Sequence, residues 1–203
     1  LANIFLNKKI KSFIQLGSSM EYGNVISPHF EKNFCKPKTA YALAKYKSTQ
    51  YLKYLNKKHK FPAVILRLYQ AYGPKQEINR LVPLVINSCL KNKTFPCTNG
   101  NQFRDFLYID DLVNLITKVV KKKYINYQIY NVGNGKPIKI KSLINLINEA
   151  IKKGKPHFGK IRMRKEEPLM LFPNTDKVKK YFKWKPRISI TRGVKKTILS
   201  YKI

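Results

Sequence analysis

From Phe61 to Leu68 the sequence FPAVILRL is almost unbrokenly apolar over the length of one strand. A strand with water on one face alternates apolar and polar residues, so a continuous run belongs to a strand covered on both faces, as in parallel sheets. Parallel neighbours need a crossover connection, usually a helix. Residues 39–59 supply one: Thr39 is a suitable N-cap, and Leu43, Tyr51 and Leu55 are among the apolar positions of the helix expected there. Before it, residues 12–17 (SFIQLG) read as a short strand that ends in Ser18 and Ser19. Strand, helix, strand is a βαβ unit, which sets the class as α/β.

The same alternation continues. Helices are expected over 81–91, 112–122 and 143–153, and extended segments over 104–108 and 127–132, the latter followed by the turn residues Gly133 and Gly135. Asp110 and Asp111 stand where they would cap the second of these helices. Over the last fifty or so residues Pro156, Pro168, Pro173 and Pro186 punctuate short elements, the pattern of a smaller lobe wrapped against the sheet. The first residues, LANIFLNKKIKSF, lack a signal-peptide pattern and read as the inside of a helix, so a longer fold of which this is the later part is expected. No apolar run approaches the ~20 residues of a membrane span.

Charge raises a different possibility. Lys and Arg number 42 against 10 Asp and Glu, a formal net charge of +32. Such a balance raises the option of phosphate neutralisation on nucleic acid. Yet 35 of the 42 are Lys and only 7 are Arg, the residue that makes bidentate contacts, and the lysines are spread along the chain with 21 Ile and 17 Asn. Compositional drift toward Lys, Ile and Asn accounts for this better than a dedicated nucleic-acid surface. Cys35, Cys89 and Cys97 share no CxxC spacing and form no zinc-ligand pattern with His29, His59 and His157, so no metal site is expected. Buried, reduced thiols in a cytoplasmic protein are the expectation.

Two residues combine into chemistry. Tyr41 and Lys45 lie four apart at the start of the first full helix, on one face, where an ammonium can stabilise a phenolate. A phenol titrates near ~10, so it serves as a base near neutrality only with such help. In a chain with 13 Tyr the pair alone is weak, but Ser18 and Ser19 stand at the carboxyl end of the preceding strand, where open α/β sheets bind ligands. RLYQAYGP, with Arg67 and Gln70, follows the next strand at the same end.

These stretches, in order SSMEYG, PKTAYALAK, RLYQAYGP, GNQFRDFLYIDD, YNVGNG, RKEEP and KWKP, resemble the extended short-chain dehydrogenase/reductases of the nucleotide-sugar epimerase/dehydratase branch. The resemblance covers nearly the whole chain. It implies a Rossmann-like doubly wound parallel sheet, here partial and lacking its first strands, with a smaller C-terminal substrate-binding lobe. Residues 1–75 would be the later part of the NAD(P)-binding domain, and 76–203 mainly the substrate lobe, with about 104–132 returning to the core. Tyr41 is then the catalytic acid/base and Lys45 its partner, both also touching the nicotinamide ribose, and Ser18 holds the reacting sugar oxygen. Ser19 and Gln70 would face the sugar, Gln70 replacing the family's usual Asn. Arg104 and Arg164 would bind the nucleotide diphosphate. Trp184 and Pro186 match a packing element, and for Glu21 a solvated or capping role stands beside a catalytic one.

The family's 4,6-dehydratases carry an Asp-Glu pair directly after the residue matching Ser18, where this chain has Ser19 and Met20. The resemblance therefore implies epimerisation, or reduction of a 4-keto sugar, at C4 of a nucleotide-diphosphate hexose, with NAD or NADP as cofactor. It implies a cytoplasmic enzyme of nucleotide-sugar and polysaccharide metabolism without a membrane anchor, for which a homodimer is an assembly to test. A GxxGxxG loop is absent from the sequence. The competing classes are a catalytically inactive fragment and a basic nucleic-acid-binding protein.

Overall fold

The computed structural model describes residues 1–122, 126–164 and 167–201. After a short 3-10 turn at Ala2–Phe5, the chain enters β1 (Phe13–Ser18), α1 (Ala40–His59) and β2 (Ala63–Leu68). β3 (Gln70–Tyr72), α2 (Leu81–Leu90), β4 (Thr94–Pro96), β5 (Phe103–Arg104), β6 (Phe106–Tyr108) and α3 (Ile109–Lys121) follow. Then come β7 (Gln128–Val132), β8 (Ile138–Lys139), α4 (Ile140–Ile151), β9 (Lys155–His157), β10 (Met170–Leu171), α5 (Asp176–Phe182) and α6 (Ile190–Leu199). β1, β2 and β7 form a parallel sheet in that order, with Ser18 beside Leu68 and Leu68 beside Val132. The smaller strand groups are β3 with β6, β4 with β9, and β10-β5-β8.

The apolar run is covered on both faces. Val64 and Leu66 of β2 pack with Leu112, Leu115 and Val119 of α3 and with Phe182 and Trp184, while Ala63 and Ile65 face Leu52 and Leu55 of α1. A third cluster joins Val85 and Ile86 of α2 to Leu143, Ile144 and Ile147 of α4 and to Val194 and Ile198 of α6. Cys35, Cys89 and Cys97 are buried and unbridged, and burial raises the pKa of each thiol. Among the described residues no helix is long and apolar enough to cross a membrane.

α1 begins as expected, with the Thr39 hydroxyl accepting the Ala42 N–H at 3.1 Å, and ends at Lys60 in the left-handed conformation, φ 54°. Its apolar positions are not all buried. Leu43 and Tyr51 are 46% and 44% exposed, and the buried positions are Ala42, Thr49, Leu52 and Leu55. A polar residue, Thr49, turns inward because a buried carboxylate awaits it. α3 starts at Ile109, so Asp110 and Asp111 lie within its first turn and neither caps it. Asp110 pairs with Lys196, while the Asp111 carboxylate accepts the N–H groups of Arg187 and Ile188 at 3.0 and 2.9 Å. Trp184 is buried and donates its indole N–H to the Asp111 carbonyl at 3.2 Å.

The long connection between β1 and α1 is fastened at His29. Its N–H donates to the Phe172 carbonyl, and its carbonyl accepts from the Asn174 N–H and the Asn131 amide. Its ring is fully buried. Nε2 lies 2.8 Å from the Val25 carbonyl, which can only accept, so Nε2 carries the proton and Nδ1 accepts from the Tyr69 hydroxyl, also at 2.8 Å. Burial lowers the pKa of this imidazole below its ordinary 6.5. Below about pH 6.5 the unfolded chain therefore takes up a proton that the folded chain refuses. His29 contributes stability that is complete above that pH and is lost as pH falls through the folded pKa. Urea denaturation at pH 7 and pH 5 is expected to show a drop in unfolding free energy that shrinks in His29→Gln. An equal drop in both proteins would remove His29 as its source.

Candidate active site

β1 and β2 point their carboxyl ends the same way, and a cavity of about 590 Å³ opens there. Ser18, Ser19, Tyr41, Lys45 and Gln70 all line it, so five residues singled out in the sequence meet in one place. Tyr41 and Lys45 come from consecutive turns at the start of α1. The Lys45 ammonium is 5.7 Å from the Tyr41 ring centroid and donates to the Leu16 carbonyl of β1 at 3.0 Å. An ammonium has three donors, so two remain for a ligand. Tyr41 is 58% exposed and lines the cavity.

Ser18 is the last residue of β1 and the N-cap of a 3-10 turn, Ser19–Tyr22. Its hydroxyl oxygen accepts the Met20 N–H at 3.2 Å and its own N–H donates to Glu21 Oε1 at 2.9 Å, which closes a capping box. Because the oxygen acts as acceptor toward the protein, the hydroxyl proton is the part left to donate.

Glu21 caps, as one of its expected roles had it, and is the reverse of solvated. It is fully buried, with Oε1 on the Ser18 N–H and Oε2 on the Thr49 hydroxyl at 2.9 Å and Arg67 Nε at 3.0 Å. Arg67 is 2% exposed, and its guanidinium also lies 4.6 Å from the centroid of the Tyr22 ring. Burial pushes the Tyr22 phenol up to about 12, and its hydroxyl donates to Asn131 at 2.8 Å. A Cβ on Gly17 would stand 2.7 Å from Glu21 Oε1, so only glycine lets the carboxylate approach the strand this closely. The ion pair was not foreseen. The signal for it was Arg67 inside an otherwise apolar run, since a charge in a strand buried on both faces needs a partner.

A second cavity of about 380 Å³ adjoins the first through Gln70, Leu81 and Phe106, which line both. Arg104 and Glu167 line this second one. Arg104 is buried and donates to Glu167 Oε1 at 2.6 Å and to the Phe103 carbonyl at 2.8 Å. Desolvation lowers its pKa, against the opposing pull of Glu167. Arg164 is exposed and lines neither cavity, and Lys165 and Glu166 beside it lie outside the described residues. Next to Arg104, the buried Asp105 carboxylate accepts the N–H groups of Asn134, Gly135 and Lys136 at 2.5, 2.6 and 3.2 Å. This ties β6 to the turn after β7. Burial still raises the Asp105 pKa despite those three bonds.

A parallel α/β sheet with Ser, Tyr and Lys at its carboxyl edge defines an extended short-chain dehydrogenase/reductase fold. The sequence profile of the NAD dependent epimerase/dehydratase family matches residues 1–133, and the chain belongs to that family. CDP-abequose synthase of Salmonella muenchen is 33% identical over 135 residues, 66% of this chain and 46% of that protein. Human dTDP-D-glucose 4,6-dehydratase is 28% identical over 203 residues, 96% of this chain and 57% of that protein. The chain thus spans about half the length of these curated relatives. Among solved structures, UDP-glucose 4-epimerase of Thermotoga maritima superposes with a TM-score of 0.92 at 23% identity, over 100% of this chain and 67% of that one.

The buried pair predicts a specific mutational pattern. Breaking it by Glu21→Ala leaves Arg67 charged and unpaired, at a cost of about 3–5 kcal/mol, whereas Glu21→Leu with Arg67→Met removes both charges and recovers most of that loss. Urea unfolding of the three proteins checks this. A single substitution costing under about 1 kcal/mol would mean the pair is not held in the dry interior that the fold shows.

Proposed function

We propose that this chain is the catalytic and substrate-facing portion of an NAD(P)-dependent nucleotide-sugar epimerase or 4-keto-sugar reductase acting at C4 of the hexose. The observation that carries the reading is the meeting of Ser18, Tyr41, Lys45 and Gln70 around one cavity that adjoins the cavity of Arg104. In this reading, residues 1–75 contribute the catalytic motifs and 76–203 mainly the substrate lobe, with about 104–132 returning to the core.

The cofactor end of the site fits in part. Lys45 has unused donors beside Tyr41 at the carboxyl end of β1, where a nicotinamide ribose can be held, whereas the chain has no GxxGxxG loop for the pyrophosphate. A bound nicotinamide supplies the hydride acceptor or donor. The side chains manage the proton. Tyr41, with the Lys45 ammonium beside it, takes the C4 hydroxyl proton as the carbonyl forms, and in the reverse direction returns it. Ser18 donates its free hydroxyl proton to the same oxygen. Arg104 anchors the diphosphate at a distance, which contributes positioning without touching the reacting carbon.

Elimination of water would need a further acid and base. Met20 cannot move a proton, Glu21 faces away into its three hydrogen bonds, and among the described residues the carboxylate that lines the cavity, Glu77, is 76% exposed beside Arg80. This argues against 4,6-dehydration. The test is turnover of UDP-glucose, UDP-galactose and a 4-keto-6-deoxy sugar nucleotide by the gene's full product with NAD or NADP. Epimerisation or reduction is expected, with kcat lost by about 10²-fold or more in Tyr41→Phe while nucleotide-sugar affinity stays nearly unchanged. Activity as a dehydratase alone, or indifference to Tyr41→Phe, would overturn the reading.

A further inference from the structure

The C-terminal lobe carries a second pair of cavities. One, of about 430 Å³, is lined by Lys136, Lys179, Lys185 and Arg187 and shares only Phe106 with the cavity of Tyr41. The other, of about 360 Å³, is lined by Lys118, Lys183 and again Lys179, Lys185 and Arg187. Among the described residues no carboxylate lines either cavity and none of these six cations is in a salt bridge.

With 42 basic and 10 acidic residues in the chain, acid-free surface is common, so charge alone decides nothing. The construction around these cavities is more telling. The Lys136 N–H is held by the buried Asp105 carboxylate at 3.2 Å, and the Arg187 N–H by the buried Asp111 carboxylate at 3.0 Å. Two cation-bearing segments are therefore fixed from behind by acids that spend themselves on backbone and do not face the cavity. Trp184, buried between Lys183 and Lys185, pins the same segment through its indole N–H. α6 then starts at the cavity wall: Ser189 and Ile190 line it, and no acidic residue lies in the first turn. Ser189 caps only the Arg192 N–H, which leaves those of Ile190 and Thr191 without a protein acceptor among the described residues. Preorganised cations and open helix N–H groups together form an anion site.

We propose that this basic double cavity binds a small phosphate-bearing anion, independently of the site at Tyr41. Its size is in the range of small-molecule pockets of ~300–1,000 Å³, which suits a phosphorylated metabolite and is too small for a nucleic-acid duplex. The phosphate oxygens take the α6 N–H groups, and Lys185 and Arg187 close on them from the exposed side.

The test is calorimetric titration of the 203-residue chain with inorganic pyrophosphate at constant ionic strength. Lys185→Gln with Arg187→Gln is expected to weaken binding by about tenfold or more, because two charge-assisted contacts are lost. Lys57→Gln with Lys58→Gln makes the same change in net charge on exposed positions of α1 and is expected to stay within about twofold. In Arg104→Gln any binding at the proposed diphosphate anchor is lost, and the event that Lys185→Gln with Arg187→Gln weakens is expected to remain. All these substitutions except that at Arg104 lie on exposed side chains, and circular dichroism confirms folding of each. An equal loss in the α1 control would make the binding a property of net charge and overturn the proposal. So would a loss confined to Arg104→Gln, tighter binding of a single-stranded oligonucleotide that both double variants weaken alike, or no pyrophosphate binding at all.

Discussion

The buried contact between Glu21 and Arg67 is the joint on which the carboxyl end of the sheet depends. One carboxylate receives the backbone of Ser18, the hydroxyl of Thr49 on α1 and the guanidinium of Arg67 on β2. Three separately folded pieces thereby share a single acceptor group. Taking two charges out of water is costly, and a buried pair returns little net stability compared with apolar residues of the same volume. What it returns here is register. Thr49 lies two helical turns beyond Tyr41, so fixing Thr49 against Glu21 also fixes the rotation of α1 and the direction in which Tyr41 and Lys45 face. The same carboxylate sets the turn that presents the Ser18 hydroxyl.

This joint also explains which parts of the fold were legible in the sequence. The run FPAVILRL announced a strand covered on both faces, because hydrophobic burial acts on residue type and needs no knowledge of partners. The strand ends placed Ser18, Tyr41, Lys45 and Gln70 on one side, since parallel strands and their helices fix that geometry topologically. On α1, Leu43 and Tyr51 are the more apolar residues yet stay exposed, and Thr49 is buried instead because a long-range hydrogen bond claims it. Asp111 behaved in the same way: a carboxylate ahead of a helix looks like a cap until two N–H groups from 76 and 77 residues away claim it. Polar contacts between distant segments leave no periodic trace.

Asp105 and Asp111 do for the C-terminal lobe what Glu21 does for the sheet. Asp105 directly precedes β6 and Asp111 lies in the first turn of α3; each is buried and gathers backbone N–H groups from a distant loop, Asp105 from residues 134–136 and Asp111 from residues 187–188. A chain with only ten acidic residues commits three of them to interior joints. The excess of lysine is therefore sharpened at the surface, because acids that would have screened it are used inside.

Arg104 shows how such economy bears on substrate binding under the proposed function. Its guanidinium is buried but not idle: Glu167, 32% exposed at the side chain, already occupies it. Glu167 can turn to water at modest cost, whereas Arg104 cannot follow it, being held by the Phe103 carbonyl and by burial. An arriving diphosphate, with more charge than a single carboxylate, would exchange with Glu167 and leave Arg104 in place. The exchange spares the empty site the cost of an unpaired buried cation, which is larger than the cost of competing with one half-exposed acid. Gln70, shared by both cavities, then lies between the anchored phosphates and the carbon facing Tyr41, so the distance from Arg104 to Tyr41 sets which carbon of the sugar meets the phenol.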